Sequence, residues 1–449
     1  MRKLEGVTSH VLVLALLAAG CGGDDDDRTV VTMWRHDNAS YRRADDDAFA
    51  DYMKLHPNVL IAPTTVDWWT YTTALTADLS RNQFGFDLLL VPPSVVCTYA
   101  NNLADVPAEV ATVADAQNTF FPQPLAGSTC GGKLKALPVE YNLEYGGVIV
   151  NLDKWQAKFP DRAPGWQTWD AFIADAAALS EFDAEGKPCA NGLDIDPDWP
   201  EPARHLLLSQ ILQRGGSYWA KTGDTGLFDF DTQEARDSLT AMVEWVTKYR
   251  IMSPTLIPTK NTFVTVRLAK GATDFGCSGD LTKPLSAMGY AGTWAVPDVM
   301  SQLPAGSTTR FEFFRLPPMV GTEHKFVQNS GFAFAVPLTS KHPKEAWDIA
   351  KSIALSQAAM KTWAKTAGTL PALRANGTPE AAADSPLLAK VQPLLAQGQW
   401  MGYIPAASTA EVLGAMVTNY FDAVKGAKTV DQALKDMQAT ANMAIMQHR

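Results

Sequence analysis

Two carboxylates four positions apart, Glu140 and Glu144, are residues whose types and spacing could do chemistry. Hydrolysis of a glycosidic bond needs a pair of carboxyl groups, one of them kept protonated by its surroundings. Nothing else in the sequence supports catalysis, since it has no GxSxG, HExxH, P-loop or dinucleotide-binding pattern. Its seven histidines also offer few candidates for a general base. The sequence therefore favours binding, and an exported carbohydrate-active enzyme is the less favoured alternative.

Aromatic and charged residues also gather where predicted strands end. β-rich runs (28–34, 59–66 and 86–91) alternate with helical patterns (41–57 and 71–82), which predicts a parallel sheet wrapped by helices. Ligands of such α/β sheets bind at the carboxyl ends of the strands. The candidate ligand contacts at these ends are Trp34, Arg35, His36, Asp37, Trp68, Trp69 and Pro93.

The pair Trp68 and Trp69 follows the second predicted strand. Neighbouring side chains in an extended segment face opposite sides. We therefore expect one of the two indoles to pack in the core and the other to face the ligand, and the sequence does not distinguish them.

The chemical character of these candidates favours a neutral polyol. The chain has 13 tryptophans, and an indole face matches the apolar face of a sugar ring. Arg35 and Lys133 would favour an anionic ligand. Asp37, Glu140 and Glu144 would favour a cationic one. These mixed signs favour a sugar, with a phosphorylated polyol or a cationic metabolite as the alternative.

The N-terminal segment has the pattern of an export signal. Arg2 and Lys3 precede an apolar run over 11–20, which is shorter than the ~20 residues that a membrane span needs. The residues before Cys21 resemble the lipobox of bacterial lipoproteins, with Leu17 four positions before the cysteine instead of three. This resemblance implies a signal peptide over 1–20, a lipidated Cys21 and an acidic tether over 21–27. The protein is then held to the cell envelope by lipid alone, and an ordinary secreted protein is the alternative.

Composition limits the remaining possibilities. A chain of 449 residues exceeds one ordinary core, so two domains are expected. The formal net charge of −10 argues against nucleic acid as a partner. The five cysteines match no zinc spacing, so neither a metal nor a cofactor is expected. The four beyond Cys21 allow two disulfides, with three possible pairings.

Six segments follow one another along the chain in an order that is typical of one protein family. The segments are GKLKALPVEYNLEYGGVIVNLDKW (132–155), APGWQTWDAFIADAAAL (163–179), DFDTQEARDSLTAMVEWV (229–246), AMGYAGTW (287–294), NSGFAFAVPLTSKHPKEAWDIAKSI (329–353) and WAKTAGTLPALRA (363–375). Together they resemble family 1 extracellular solute-binding proteins of the maltose-binding-protein type, which are the sugar-binding components of ABC importers. One departure is Val150, where the family usually has tyrosine.

The resemblance implies a fold and a division of the chain. The fold is α/β, of the two-lobed periplasmic-binding-protein type (type II), with the ligand trapped between hinged lobes. The first lobe is expected over 28–145 plus 313–352, and the second over 146–312 plus 353–449. Disulfides Cys97–Cys130 and Cys189–Cys277 are favoured among the three pairings, because each bridge then lies within one lobe.

The resemblance also implies site residues and partners. It places an aromatic platform at Trp294 and a second aromatic residue at Trp199. Further contacts are expected from a loop before the hinge and from a returning strand, namely Glu140, Tyr141, Glu144, Gly331 and Phe332. The expected partners of the monomer are a carbohydrate and the membrane permease of an ABC transporter.

Overall fold

The structure is a computed structural model. It describes residues 27–81, 85–141, 146–196, 200–220, 226–256, 263–271, 277, 282–327, 331–383, 387, 389–390, 400–401 and 410–447. The predicted signal peptide and Cys21 lie outside these residues, so their processing stays a prediction.

The described chain alternates strands and helices. The strands are β1 (Thr29–His36), β2 (Val59–Val66), β3 (Leu88–Val91), β4 (Thr129–Cys130), β5 (Lys133–Leu134), β6 (Ala136–Pro138), β7 (Glu140–Tyr141), β8 (Gly147–Asn151), β9 (Glu181–Phe182), β10 (Pro188–Asp194), β11 (Ser286–Gly289), β12 (Phe311–Arg315), β13 (Phe326–Val327), β14 (Ala333–Ala335), β15 (Leu370–Pro371) and β16 (Trp400–Met401). The α-helices are α1 (Ala39–Leu55), α2 (Trp68–Ser80), α3 (Pro93–Thr98), α4 (Val113–Thr119), α5 (Pro122–Ala126), α6 (Leu152–Lys158), α7 (Trp169–Leu179), α8 (Pro200–Gln213), α9 (Gln233–Thr247), α10 (Val264–Ala269), α11 (Ala295–Ser301), α12 (Pro343–Ala354), α13 (Gln357–Ala367), α14 (Pro379–Ala382), α15 (Ala410–Val424) and α16 (Val430–Gln447).

The first sheet has the strand order β2-β1-β3-β14-β6. Its first three strands are parallel, and β1 pairs with β2 from Thr29 opposite Val59 to His36 opposite Val66. Strand β14 arrives much later in the sequence and pairs antiparallel with both β3 and β6. The strand run Leu88–Val91 is buried on both faces, as its apolar composition predicts.

The second sheet has the order β12-β8-β11-β10-β9. Only β10 and β11 are parallel in it, and β8 runs antiparallel to both of its neighbours. Helices α7, α8, α9, α15 and α16 pack into the core of this sheet. Two sheets with separate cores thus account for most of the described chain.

Helix α1 shows why the helices form where they do. Asn38 precedes it, and the Asn38 side-chain oxygen accepts hydrogen bonds from the backbone N–H groups of Ser40 (3.0 Å) and Tyr41 (3.2 Å). This cap satisfies N–H groups that have no partner within the helix. Phe49 and Tyr52 lie on its buried face, against the first core.

Two stretches lie in the opposite core from the one expected. Residues Phe313–Arg315 pair with β8 in the second sheet. Helix α13 packs in the first core, where the Trp363 indole N–H donates to the Asp45 carboxylate at 2.9 Å. We therefore propose revised lobes: residues 28–138 plus 333–367 in the first, and 147–327 plus 410–447 in the second.

The chain passes between the two cores three times. The crossings run from β6 to β8, from β13 to β14, and from α13 through β15 towards the C-terminal helices. Strand β7 of the first crossing pairs antiparallel with β15 of the third. This two-stranded sheet lies between the lobes and joins two of the three connections.

Both disulfides have the favoured pairing. Cys97 is bonded to Cys130, and Cys189 is bonded to Cys277. The first bridge joins α3 to β4, and the second joins the start of β10 to residue 277. Neither bridge links the two cores covalently.

None of the helices in the described residues is long and apolar enough to cross a membrane.

Candidate functional site

The end of β1 is more buried than the sequence indicated. Arg35 lies within the strand and is only 6% exposed. Its guanidinium group contacts the Asp46 carboxylate at 2.7 Å, the Arg42 carbonyl at 3.1 Å and the Thr65 hydroxyl at 3.3 Å. Arg35 therefore anchors α1 to the first sheet instead of facing a ligand.

His36 is also buried at this strand end. Its ring packs against the rings of Tyr41 and Phe332, with centroids 5.0 and 4.8 Å away. Its Nδ1 accepts the backbone N–H of Asn38 at 3.2 Å. Burial lowers the pKa of His36 to about 3, and the charge of Arg35 adds to the shift. The neutral imidazole thus forms part of the packing beneath the strand end.

Two predicted aromatic contacts are core residues. Trp34 is 7% exposed and packs against Tyr71 and Phe86. Tyr141 is buried in β7, with its ring centroid 5.6 Å from that of Phe121. We therefore do not retain Trp34 or Tyr141 among the proposed ligand contacts.

Asp37 is the exposed residue at the end of β1. The next residue, Asn38, reaches the other lobe, because its side-chain amide donates to the Asp298 carboxylate at 3.3 Å. Burial raises the pKa of Asp298 above its usual range, and the charge of Asp37 adds to the rise. The first turns of α1 and α11 therefore meet, and Asp37 lies where they do.

Trp294 immediately precedes α11 and touches both lobes. Its side chain packs against the first core and the second core. The indole nitrogen is buried, whereas the residue as a whole is only partly buried. Because the indole nitrogen is buried, any exposed surface of the Trp294 ring is carbon, the kind of surface that a sugar ring stacks on.

Glu140 lies in β7 and is fully buried. Its carboxylate accepts the Tyr41 hydroxyl at 2.6 Å and the Phe332 backbone N–H at 2.9 Å. Gly331 has φ +88°, and a Cβ there would lie 2.5 Å from the Glu140 carbonyl oxygen. Glu140 and Gly331 therefore build the connection between the lobes, and Phe332 covers the ring of His36.

A buried ionic cluster supports the second lobe beside Trp294. Arg267 of α10 donates to Asp194 at 2.6 Å and contacts Asp196 at 2.8 Å. Ser286 of β11 donates to the same Asp194 carboxylate at 2.8 Å. Because Asp194 ends β10 and its carbonyl accepts the Tyr290 N–H, the cluster fixes the segment that leads to Trp294.

Glu144 and Trp199 lie outside the described residues, as do the side chains of Trp68, Trp69 and Pro93. The backbone at the tryptophan pair is helical, because α2 begins at Trp68. The predicted extended backbone at Trp68 and Trp69 is therefore wrong, and in the helix their side chains point about 100° apart and not to opposite sides.

A cavity of about 350 Å³ lies elsewhere, wholly within the second lobe. Its walls include Trp169, Arg214, Glu244, Trp245 and Tyr249 from the ends of α7, α8 and α9. A ligand in this cavity would touch one lobe only, so its binding would not be coupled to lobe closure.

Three residues of this region were not predicted from the sequence: Asn38, Tyr41 and Asp298. Asn38 had a usable signal, because asparagine directly before a helical pattern is typical of an N-cap. Asp298 had none, since its partner lies 260 positions away along the chain.

Two α/β lobes joined by three crossings, with Asp37 and Trp294 where they meet, define a two-lobed ligand-binding protein. The chain belongs to the bacterial extracellular solute-binding protein family, whose model matches residues 47–390. This confirms the family resemblance and indicates an exported binding protein.

Solved structures agree on the fold. The maltose-bound MalE3 of T. maritima superposes with a TM-score of 0.71 at 16% identity, covering 92% of this chain and 99% of that one. The ABC substrate-binding protein Lmo0181 from Listeria monocytogenes, in complex with cycloalternan, gives 0.71 at 17% identity, covering 93% and 99%. The maltose/maltodextrin-binding domain MalE from Bdellovibrio bacteriovorus, bound to maltotriose, gives 0.70 at 16% identity, covering 93% and 100%. The predicted two-lobed α/β fold is confirmed.

No curated protein matches the chain.

Proposed function

We propose that the protein captures a sugar between its two lobes and delivers it to the membrane permease of an ABC importer. The observation that carries this proposal is the meeting of α1 and α11, which brings the exposed Asp37 and the partly exposed Trp294 to one place. An indole face and a carboxylate are complementary to a sugar, which has an apolar C–H face and hydroxyl donors. Structures of similar fold are described as bound to maltose, cycloalternan and maltotriose, which supports the ligand class.

The mechanism of capture is binding without chemistry. A ligand that touches both lobes stabilises the closed form by its differential affinity for that form. Trp294 is suited to this role because it already contacts both cores. The closed form is then the one that the permease recognises.

The protein is further proposed to work as a monomer anchored by lipid at Cys21. Support for the anchor is the apolar run and the small residues before Cys21. The tether of acidic residues that follows keeps the lobes away from the membrane surface.

The test is a binding screen by isothermal titration calorimetry against maltose, maltotriose, mannotriose, glycerol phosphate and an alkyl amine. We expect saturable binding of an intact sugar. Trp294→Ala should weaken it by about 1 to 3 kcal/mol, from lost stacking and burial. Trp294→Phe, which keeps an aromatic ring against both cores, separates ligand contact from loss of packing.

Three outcomes would revise the proposal. Binding of only glycerol phosphate or the amine would move the function to a non-sugar solute. A sugar recovered cleaved would indicate an enzyme. A matched variant at the cavity of the second lobe, Glu244→Gln, should leave the affinity unchanged, and weaker binding there would move the site into that cavity.

A further inference from the structure

One buried residue, Glu140, contacts all three connections between the lobes. Glu140 itself belongs to the first crossing, in β7. Phe332 of the second crossing donates its backbone N–H to Glu140 at 2.9 Å. In the third crossing, Pro371 of β15 lies opposite Glu140 in the two-stranded sheet that β15 forms with β7.

The Glu140 carboxyl group also holds the helix that meets the second lobe. Tyr41 lies in the first turn of α1, and its hydroxyl donates to Glu140 at 2.6 Å. The Asn38 cap of that helix makes the interlobe contact with Asp298. Any change at Glu140 therefore acts on the three connections and on α1 together.

The environment of Glu140 makes its charge sensitive to hinge geometry. Burial raises the pKa of Glu140 to about 7, and the hydrogen bonds from Tyr41 and Phe332 lower it only in part. Tyr41 contacts the carboxyl group directly, and His36 lies beyond Phe332. His36 stays neutral because burial lowers its own pKa to about 3.

We propose that Glu140 is a positioning residue for ligand capture, whose ionisation shifts the balance between the open and the closed lobes. This role of Glu140 rests on the proposed function, because it regulates the same movement of the lobes. The neutral carboxyl group is compatible with the dry, packed hinge. Hydration stabilises the charged carboxylate. Ionisation therefore favours the arrangement in which the crossings loosen and the lobes open. Raising the pH through neutrality should therefore open the ligand-free protein.

Small-angle X-ray scattering of the ligand-free protein tests this from about pH 5 to about pH 8.5. The radius of gyration should increase with pH, with a midpoint near 7. Glu140→Gln keeps the shape of the group and removes its charge, so the variant should stay compact over the whole range. Tyr41→Phe removes one hydrogen bond to the carboxylate and should move the midpoint to higher pH.

Asp45 provides a matched control. It is fully buried, its pKa is also raised to about 7 by burial, and its partners Trp363 and Arg35 belong to the first lobe alone. Asp45→Asn should therefore keep the wild-type change in radius. A wild-type radius that does not change with pH, or one that changes equally in Glu140→Gln, would overturn the proposal. Because no ligand is added, failure here is distinguishable from failure to bind a sugar.

Discussion

Gly331 shows how one residue without a side chain shapes the connection between the lobes. Its φ is +88°, and an added Cβ would lie 2.4 Å from Cγ and 2.5 Å from the carbonyl oxygen of Glu140. We expect Gly331→Ala to lower the free energy of unfolding by about 2 to 4 kcal/mol, from left-handed strain plus overpacking. Urea unfolding followed by circular dichroism measures this loss.

Gly186 is the control for this prediction. It has φ +80° in the exposed turn between β9 and β10, with open space around an added Cβ. Gly186→Ala should therefore cost only about 1 kcal/mol, from strain alone. Equal losses in the two variants would show that the close approach to Glu140 contributes nothing.

At the scale of elements, the contact between α1 and α11 depends on the two polar atoms of the Asn38 side-chain amide. The oxygen of Asn38 caps α1, and its amide nitrogen donates to Asp298. Asn38→Ser keeps a good cap but removes the donor, so it should weaken binding of the identified sugar by about 1 kcal/mol, roughly fivefold. Calorimetric titration gives the dissociation constant.

The second substitution at this position separates the two roles. Asn38→Ala removes both the cap and the donor, so it should also lower the free energy of unfolding by about 1 kcal/mol. Asn38→Ser should leave that free energy nearly unchanged. Wild-type affinity in Asn38→Ser would mean that the contact with Asp298 has no part in capture.

The strands and helices were largely predictable from the sequence, whereas the contacts that bury their ends were not. Strand β2 spans the predicted 59–66, where β-branched residues are frequent. Strand β1 continues to His36, two residues beyond the expected end. Arg35 and His36 had the composition of a loop, and only distant partners such as Thr65 and Asp46 make their burial possible. Such partners depend on how α1 packs on the sheet, which no local pattern contains.

For the whole molecule, the division into lobes was predictable only in part. The resemblance implied a second lobe that includes residues 353–449, and therefore α13. The structure packs α13 against α1 in the first core, with Trp363 hydrogen-bonded to Asp45. Of the predicted ligand contacts, Asp37 and Trp294 retain exposed surface where the lobes meet, and the others that can be placed belong mainly to the core or the connections.

Attachment of the whole molecule to the cell envelope is predicted to depend on one cysteine. Cys21→Ser should release the protein from membranes into the soluble fraction, because a lipid chain contributes about 0.8 kcal/mol per buried CH₂ group. Fractionation of cells with an antibody against the protein measures the distribution. Membrane association that survives the substitution would contradict the lipid anchor. The variant should still bind the sugar as the wild type does.

The insertion of β14 between β3 and β6 has a consequence for synthesis of the protein. Roughly 200 residues separate β6 from β14 along the chain. At about 5 to 20 residues per second, a ribosome needs roughly 10 to 40 seconds to make them. During that time the first sheet lacks an inner strand, and the second core lacks helices α15 and α16, which come later still. The emerging chain therefore cannot complete either core until its last third has been made.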